Sequence, residues 1–478
     1  MTNQLRVLFA IACIGFILVA ANIDAKTSAN VRYGKYLQPL LDKAEISPSD
    51  ITPIIATLQN KEILKVEAIG HSFQGRKIHK ISIGSGKTHV LIWSQMHGDE
   101  PTATASIFDV LNYITADENK TWRDNWSSKL TLHFVPMLNP DGAEQASRFN
   151  AQGIDINRDA SQLQTPEGQL LHKLVSTIKP SFGFNLHDQS RNYAAGDSDK
   201  TATISVLAPS FNYAKEVNDV RLRAMQVIAE TVSAIKPRLT GHIGRYDDSY
   251  SHRAFGDTLT RLGVSTVLIE SGGFPSDDNR QIARKATYLM LIAGIDSVHN
   301  KTYLKFNQKD YDKIPMNVEG KIKDLLVNNI TINVGEKPSY TTNFIIDLAV
   351  YGSGKAKIIE IGDASVYSSY HQLDASNYQY IKGEAYDLDK EGPLTLSDSV
   401  YFRILKQGIT HFIGDATKLI NSSSFPVVLN PTNTATEIPS LRQTATFLLS
   451  DGRGIKFAVL NGQVLDLRTG QLLNPIGT

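Results

Sequence analysis

Three apolar, strand-like runs in this chain each lead into an ionisable side chain. Val90-Leu91-Ile92-Trp93 runs towards His97, Ser181-Phe182-Gly183-Phe184-Asn185-Leu186 into His187, and Ser265-Thr266-Val267-Leu268-Ile269 into Glu270. Helical stretches near 168–178, 218–235 and 280–298 separate or flank such runs, and Pro101 opens another helix over 102–114. Strands alternating with long helices predict an α/β fold, a mixed, largely parallel open sheet with helices on both faces. Ligands of such sheets bind in the crevice outside the carboxyl ends of the strands. Three chemical groups at equivalent places on that edge make coincidence a poor account of them.

The flanking text is different. Residues 31–60 read as helical, with Tyr36, Leu37, Leu40 and Leu41 at helical spacing. Strand-like segments follow at 63–69 and 77–83 around a Gly70/Gly75 turn, and again at 130–136. After about Lys301 short strand-like runs at 344–350 and 356–361 are separated by Gly, Asn and Asp, and an Asp451-Gly452 turn between 446–449 and 455–460 predicts a terminal hairpin. The chain, at 478 residues longer than one ordinary domain, is therefore expected to divide into a 1–25 signal peptide, a 26–300 catalytic domain and a 301–478 β-rich domain of unknown role. That last region contains only His371 and His411 among its histidines. A structural, docking or targeting role is its default reading, with glycan or surface binding as the alternative.

At the amino terminus Arg6 precedes an apolar run from Val7 to Ala21, followed by Asn22. A basic start, a short apolar stretch and small residues at Ala20-Ala21 read as a cleaved secretory signal, hence export to the periplasm or outside the cell. An uncleaved anchor is the alternative, for which the run is short; the lipoprotein-like Ala10-Ile11-Ala12-Cys13 is followed by too long an apolar stretch. Cys13 is the only cysteine, so the mature chain has no internal disulfide, no cysteine nucleophile and no thiolate ligand for zinc. A net charge of +1 supplies no reason to expect nucleic acid as a partner, and no later run is apolar enough to span a bilayer.

His97-x-x-Glu100 places an imidazole and a carboxylate within one turn at a strand-to-helix junction; alone it is most often a solvated surface. Adding His187 gives a two-His, one-Glu set that leaves a fourth position for water, the arrangement of catalytic zinc. Asp155 is placed to accept the other ring N–H of a zinc-bound histidine. Glu270, followed by Ser271-Gly272-Gly273, reads as a general base in preference to a buried, paired charge. Asn157-Arg158 offers an amide beside a planar guanidinium, suited to bidentate carboxylate binding, where the bland reading is a surface ion pair. Arg148 taken alone reads as a solvated loop arginine.

The ordered series Ile69-Gly70-His71-Ser72 with Gly75-Arg76, His97-Gly98-Asp99-Glu100, Asn139-Pro140-Asp141-Gly142, Arg148 with Gly153-Ile154-Asp155-Ile156-Asn157-Arg158, His187 and Glu270 resembles the zinc metallocarboxypeptidases of peptidase family M14, the carboxypeptidase A-like enzymes. The resemblance covers about residues 65–275. Two imidazoles and one carboxylate are also the known ligand set of carboxypeptidase A. The resemblance implies one zinc per chain on His97, Glu100 and His187, with Glu270 as base for a zinc-activated water. It further implies Arg148 on the scissile carbonyl and its oxyanion, and Asn157 with Arg158 on the terminal carboxylate of a peptide with a free C-terminus.

Some positions depart from the family pattern. The substrate-capping tyrosine falls on either Tyr246 or Tyr250. The specificity position falls near Phe255-Gly256, where the lack of an acid argues against basic C-terminal residues, although Asp247 and Asp248 are close. Too little chain lies before Gly70 for the folded prosegment of digestive relatives. Two other readings share the scaffold: a cell-wall peptide amidase, and a deacylase like aspartoacylase or succinylglutamate desuccinylase. A zinc-free binding or adhesion protein is the reading from a different class.

Overall fold

The computed structural model describes residues 32–348 and 355–474. The expected signal and Cys13 lie outside the described residues. The chain divides into two compact units, with the division at Val318/Glu319. This differs from the expected 300/301 boundary because Tyr303, Tyr311 and Ile314 are buried in the core of the first unit. Asn317 and Val318 then pair with Ala195 and Ala194.

The first unit is built on an eight-stranded sheet: β1 (Lys65–His71), β2 (Lys77–Gly84), β3 (Thr88–Trp93), β4 (Leu130–Val135), β5 (Phe182–Asp188), β7 (Ile204–Leu207), β8 (Ile243–Arg245) and β9 (Ser265–Ser271), the two-residue β6 (Ala194–Ala195) pairing elsewhere. The spatial order is β1-β2-β4-β3-β5-β9-β7-β8. The centre β4-β3-β5-β9 is parallel throughout, while β1/β2, β2/β4 and β7/β9 are antiparallel. The fold is a mixed α/β sheet, largely parallel at its core.

The apolar run of β3 has no polar alternation because both of its faces are covered. Val90 and Ile92 join the core formed with helices Pro48–Gln59, Thr102–Thr115, Asp219–Ile235 and Gln281–Asn300. Leu91 and Trp93 join the opposite core, with helices Pro166–Ile178 and Phe255–Arg261. The period of two in a strand thus distributes one continuous apolar word between two cores. The expected helix over 31–60 is interrupted: a turn at Tyr33–Tyr36 and a 3₁₀ turn at Pro39–Leu41 precede the helix Pro48–Gln59. Prolines 39 and 48 stand at first-turn positions, where their missing N–H is tolerated and which they cannot follow in an unbroken helix.

The second unit is β-rich. Its nine-stranded sheet centres on Ile322–Val334, which pairs antiparallel with Lys337–Asp347 and parallel with Ser368–Asp374. The hairpin Phe447–Ser450/Ile455–Leu460 forms around Asp451-Gly452, with Gly452 at φ +81. It is not terminal: Gln463–Asp466 and Gln471–Leu472 extend the sheet. The helix Asp398–Lys406 buries Tyr401, Ile404 and Leu405 in a separate cluster of this unit.

Candidate active site

The parallel register of β5 and β9 places His187 directly opposite Glu270 at the carboxyl ends of the two strands. Beyond the end of neighbouring β3 the chain turns through residues 94–101 before the helix Thr102–Thr115, and this turn carries His97 and Glu100. The turn is pressed against a second loop. A Cβ on Gly98 would lie 1.9 Å from the Gly142 carbonyl carbon, so only glycine fits there. Asn139, the cap of that second loop, accepts from the Gly142 N–H at 2.9 Å and donates to the Met96 carbonyl at 3.3 Å. Asp141 accepts from the Ser72 hydroxyl, the Gln74 N–H and Arg76. The Ser72–Arg76 and Asn139–Gly142 motifs thus brace the loop that carries His97.

His97, Glu100 and His187 are buried, at 2%, 7% and 2% exposure, and their potential ligand atoms all lie within 4.8 Å of one another. Each imidazole presents Nδ1 to a different oxygen of the one carboxylate, His97 to Oε1 and His187 to Oε2, both at 2.7 Å. Burial opposes the charge on Glu100, but the two imidazoles outweigh it and hold the carboxyl well below its usual range. Burial likewise pulls His97 down, yet Glu100 and Asp155 outweigh it and raise it to about 9. His187 differs, since burial outweighs Glu100 there and lowers it. The ring nitrogens and the carboxylate nevertheless converge on one point, where a divalent cation would take the place of a proton. Two ring nitrogens and a carboxylate, with no thiolate, form a donor set that fits zinc.

Asp155 Oδ1 lies 3.1 Å from His97 Nε2, and its Oδ2 takes Arg148 Nε at 3.0 Å and Nη2 at 2.9 Å. Burial opposes ionisation of Asp155, but His97 and Arg148 prevail and keep it well below the usual carboxylate range. Arg148 also brings Nη1 within 3.5 Å of Glu100 Oε1, so its half-buried guanidinium adjoins the ligand cluster. Glu270 has a different environment. Its side chain makes no hydrogen bond to any described residue, and burial with the nearby Glu100 charge pushes its carboxyl well above the usual range.

Asn157 and Arg158 occupy a 3₁₀ turn, Ile156–Arg158, capped by Asp155. Asn157 is buried and its Oδ1 accepts from the Phe255 N–H at 2.9 Å. Arg158 is exposed; its Nη1 donates to the Asn157 carbonyl, and it forms no ion pair with a described residue. Both tyrosines lie in the loop after β8, each against another aromatic: Tyr246 against Tyr193 at 5.8 Å, Tyr250 edge-on to Tyr213 at 4.9 Å. This loop is fastened to the Asn157–Arg158 turn, since Ala160 N–H donates to the Arg253 carbonyl and Ser161 to that of His252.

One acid escaped the sequence reading. Asp188, next to His187, accepts from the Thr102 hydroxyl at 2.7 Å and N–H at 3.2 Å, at the start of a helix where a negative charge is favoured. Burial raises it to about 6. Its position directly after His187, ending the same strand, was the only available signal.

A sequence model described as zinc carboxypeptidase, peptidase family M14, matches residues 53–222. That span includes His97, Glu100, Arg148, Asp155, Asn157, Arg158 and His187, and ends before Glu270. A carboxypeptidase 2 of Trichophyton tonsurans is 28% identical over 142 residues, 29% of this chain and 26% of that protein. Carboxypeptidase SOL1 of Arabidopsis thaliana is 28% identical over 110 residues, 22% of each. The chain thus spans about a quarter of the length of these curated relatives. A solved metallo-carboxypeptidase from Burkholderia cenocepacia aligns over 54% of this chain and 70% of its own at 18% identity, with a TM-score of 0.42. Two imidazoles and a carboxylate gathered at the sheet edge lie within residues 53–222, the stretch that matches the zinc carboxypeptidase model of peptidase family M14.

Proposed function

We propose that the chain is a zinc-dependent metallocarboxypeptidase that hydrolyses the last peptide bond of a chain with a free C-terminus. The observation that carries this reading is the convergence of His97 Nδ1, His187 Nδ1 and Glu100 on one point, with Glu270 in register beside His187. His97, Glu100 and His187 would hold one zinc, which when bound acidifies water and polarises a carbonyl.

Glu270 takes the proton of the attacking water. Its raised affinity for protons, from burial and the Glu100 charge, brings it towards the range in which a base serves near neutral pH and can return the proton to the leaving amine. Asp155 holds the His97 ring through Nε2 and so sets which nitrogen faces the cluster. Arg148, tethered by Asp155, supplies positive charge beside the reacting carbonyl, and a preorganised donor at a developing oxyanion is typically worth about 10²–10³ in rate. Arg158, exposed and in no ion pair with a described residue, takes the terminal carboxylate together with Asn157. Either Tyr246 or Tyr250 closes over the substrate from the adjoining loop. The leader at 1–25 sends the enzyme out of the cytoplasm; among the described residues no helix is long and apolar enough to cross a membrane.

The test is digestion of one peptide in two forms, with zinc content measured on the same preparation. One zinc per chain with stepwise loss of residues from the free C-terminus, and much slower cleavage of the C-terminal amide, is the expected result. Equal rates on both forms, or internal cleavage, would replace this reading by that of a cell-wall amidase or a deacylase. A chain without zinc and without turnover would point to a binding protein.

A further inference from the structure

Gln95, two residues ahead of His97, is fully buried and lies at φ +48, in the left-handed region that residues with a Cβ seldom adopt. Such strain persists where the surroundings over-determine it, and it concentrates at functional sites. Here the side-chain amide supplies the determination. Nε2 donates to the Ile46 carbonyl at 2.8 Å and to the Gly98 carbonyl at 2.9 Å, and Oε1 accepts from the Thr104 hydroxyl at 2.8 Å. The Gln95 carbonyl accepts from the Asn139 N–H at 3.0 Å. A glycine would take this backbone conformation without strain and make none of the three side-chain bonds. The turn alone therefore does not account for a glutamine.

What the amide joins is specific. The Gly98 carbonyl lies between His97 and Glu100, Thr104 is in the helix that follows them, and Ile46 belongs to the segment before the helix Pro48–Gln59. That segment is itself anchored. Arg284 donates to the carbonyls of Gln38 and Leu41 and pairs with buried Asp109, which also accepts from the Gln38 N–H. We infer that Gln95 is a positioning residue for the metal loop, holding His97 and Glu100 in the ligating arrangement before any metal arrives. The inference rests on the zinc-site reading above.

Zinc affinity, measured on the full chain by competition with a chelator, and the visible absorption of the cobalt-substituted protein together test it. Gln95→Met keeps the bulk and the strained backbone but removes all three bonds. Zinc should bind about 10–100-fold more weakly, the range typical of lost partners behind metal ligands, and the cobalt spectrum should change. Thr104→Val removes one of the three bonds to Gln95, together with the hydroxyl's contacts to Ser94 and the Pro136 carbonyl, and should shift both readouts less, in the same direction; it decides alone if Gln95→Met does not fold. Leu111→Ala cuts the apolar face of the same helix and should lower Tm while leaving zinc affinity and the cobalt spectrum unchanged. Wild-type zinc affinity and spectrum in Gln95→Met, with or without a fall in Tm, would overturn the inference and leave the zinc site standing. A wild-type chain that takes up neither metal would overturn the zinc site and this inference with it.

Discussion

The cluster of His97, Glu100 and His187 and the Asn157–Arg158 turn lie in one domain but are built in opposite ways. His187 is held within a parallel strand, and His97 and Glu100 in a turn wedged between two loops, all three nearly without solvent. Every charge there answers another at short range. Arg158 projects from a 3₁₀ turn into solvent with a carbonyl as its hydrogen-bond partner. A metal ion tolerates little error in ligand position, so its site belongs on rigid, buried elements. A carboxylate on a flexible peptide end can be met by an exposed guanidinium that adapts, because two parallel N–H···O bonds restore the geometry on contact. The second unit makes the comparison wider: among the described residues the only trio that could hold a metal is His97, Glu100 and His187.

The largest expected effect lies in the buried half. His187→Ala removes one of three ligands and should abolish both bound zinc and turnover; metal analysis and a peptide assay on one preparation check this, and stoichiometric zinc with activity would dissolve the cluster as a site. Glu270→Gln keeps shape but cannot accept a proton. Zinc content and KM should hold while kcat falls by about 10²–10⁴-fold, the usual weight of a general base. If kcat stayed within a few-fold, Glu270 would be a structural acid.

The exposed half should respond differently. Arg158→Ala should leave zinc unchanged and weaken use of free-ended peptides by about 30-fold, equivalent to about 2 kcal/mol, mainly through KM. Cleavage of the amidated peptide should hardly move. Loss of zinc in this variant would mean that the two regions are not built independently.

The smallest effect concerns stability. Asp257, in the first turn of Phe255–Arg261 beside this loop, is raised by burial to about 6, against the Ser251 N–H that it accepts. A carboxyl whose folded value exceeds its unfolded value near 3.8 binds more protons when folded. Stability therefore falls as pH rises from about 4 to 6. Asp257→Asn should flatten that part of the stability curve, as read by Tm at several pH values. A slope unchanged from wild type would assign the pH dependence to other groups.

Legibility in the sequence followed locality. Strands β3, β5 and β9 could be read because both faces are buried, which leaves largely apolar words that run into, or soon after reach, a His or Glu. Their flanking helices could be read from periodicity. The two short strands β7 and β8 carry too few residues to show a period, and the helix before Gln59 is broken because Pro39 and Pro48 each open a new turn across the apolar spacing of Tyr36, Leu37, Leu40 and Leu41. The boundary at 318 was missed because residues 301–318 are β-poor, polar text whose attachment depends on three buried side chains, Tyr303, Tyr311 and Ile314.

Residue identity and chain order by themselves determined the candidate ligands, the candidate base and the candidate carboxylate-binding pair, because such chemistry requires particular functional groups and the apolar runs announce the sheet edge where they meet. Only the tertiary structure decided that both imidazoles present Nδ1 to one carboxylate, that Asp155 stands behind His97, and that Gln95 adopts φ +48 to reach Ile46, Gly98 and Thr104. Those partners are separated by up to 87 residues, as Glu100 and His187 are. Hydrogen bonds between such distant groups depend on strand register and loop contact, which no local pattern encodes.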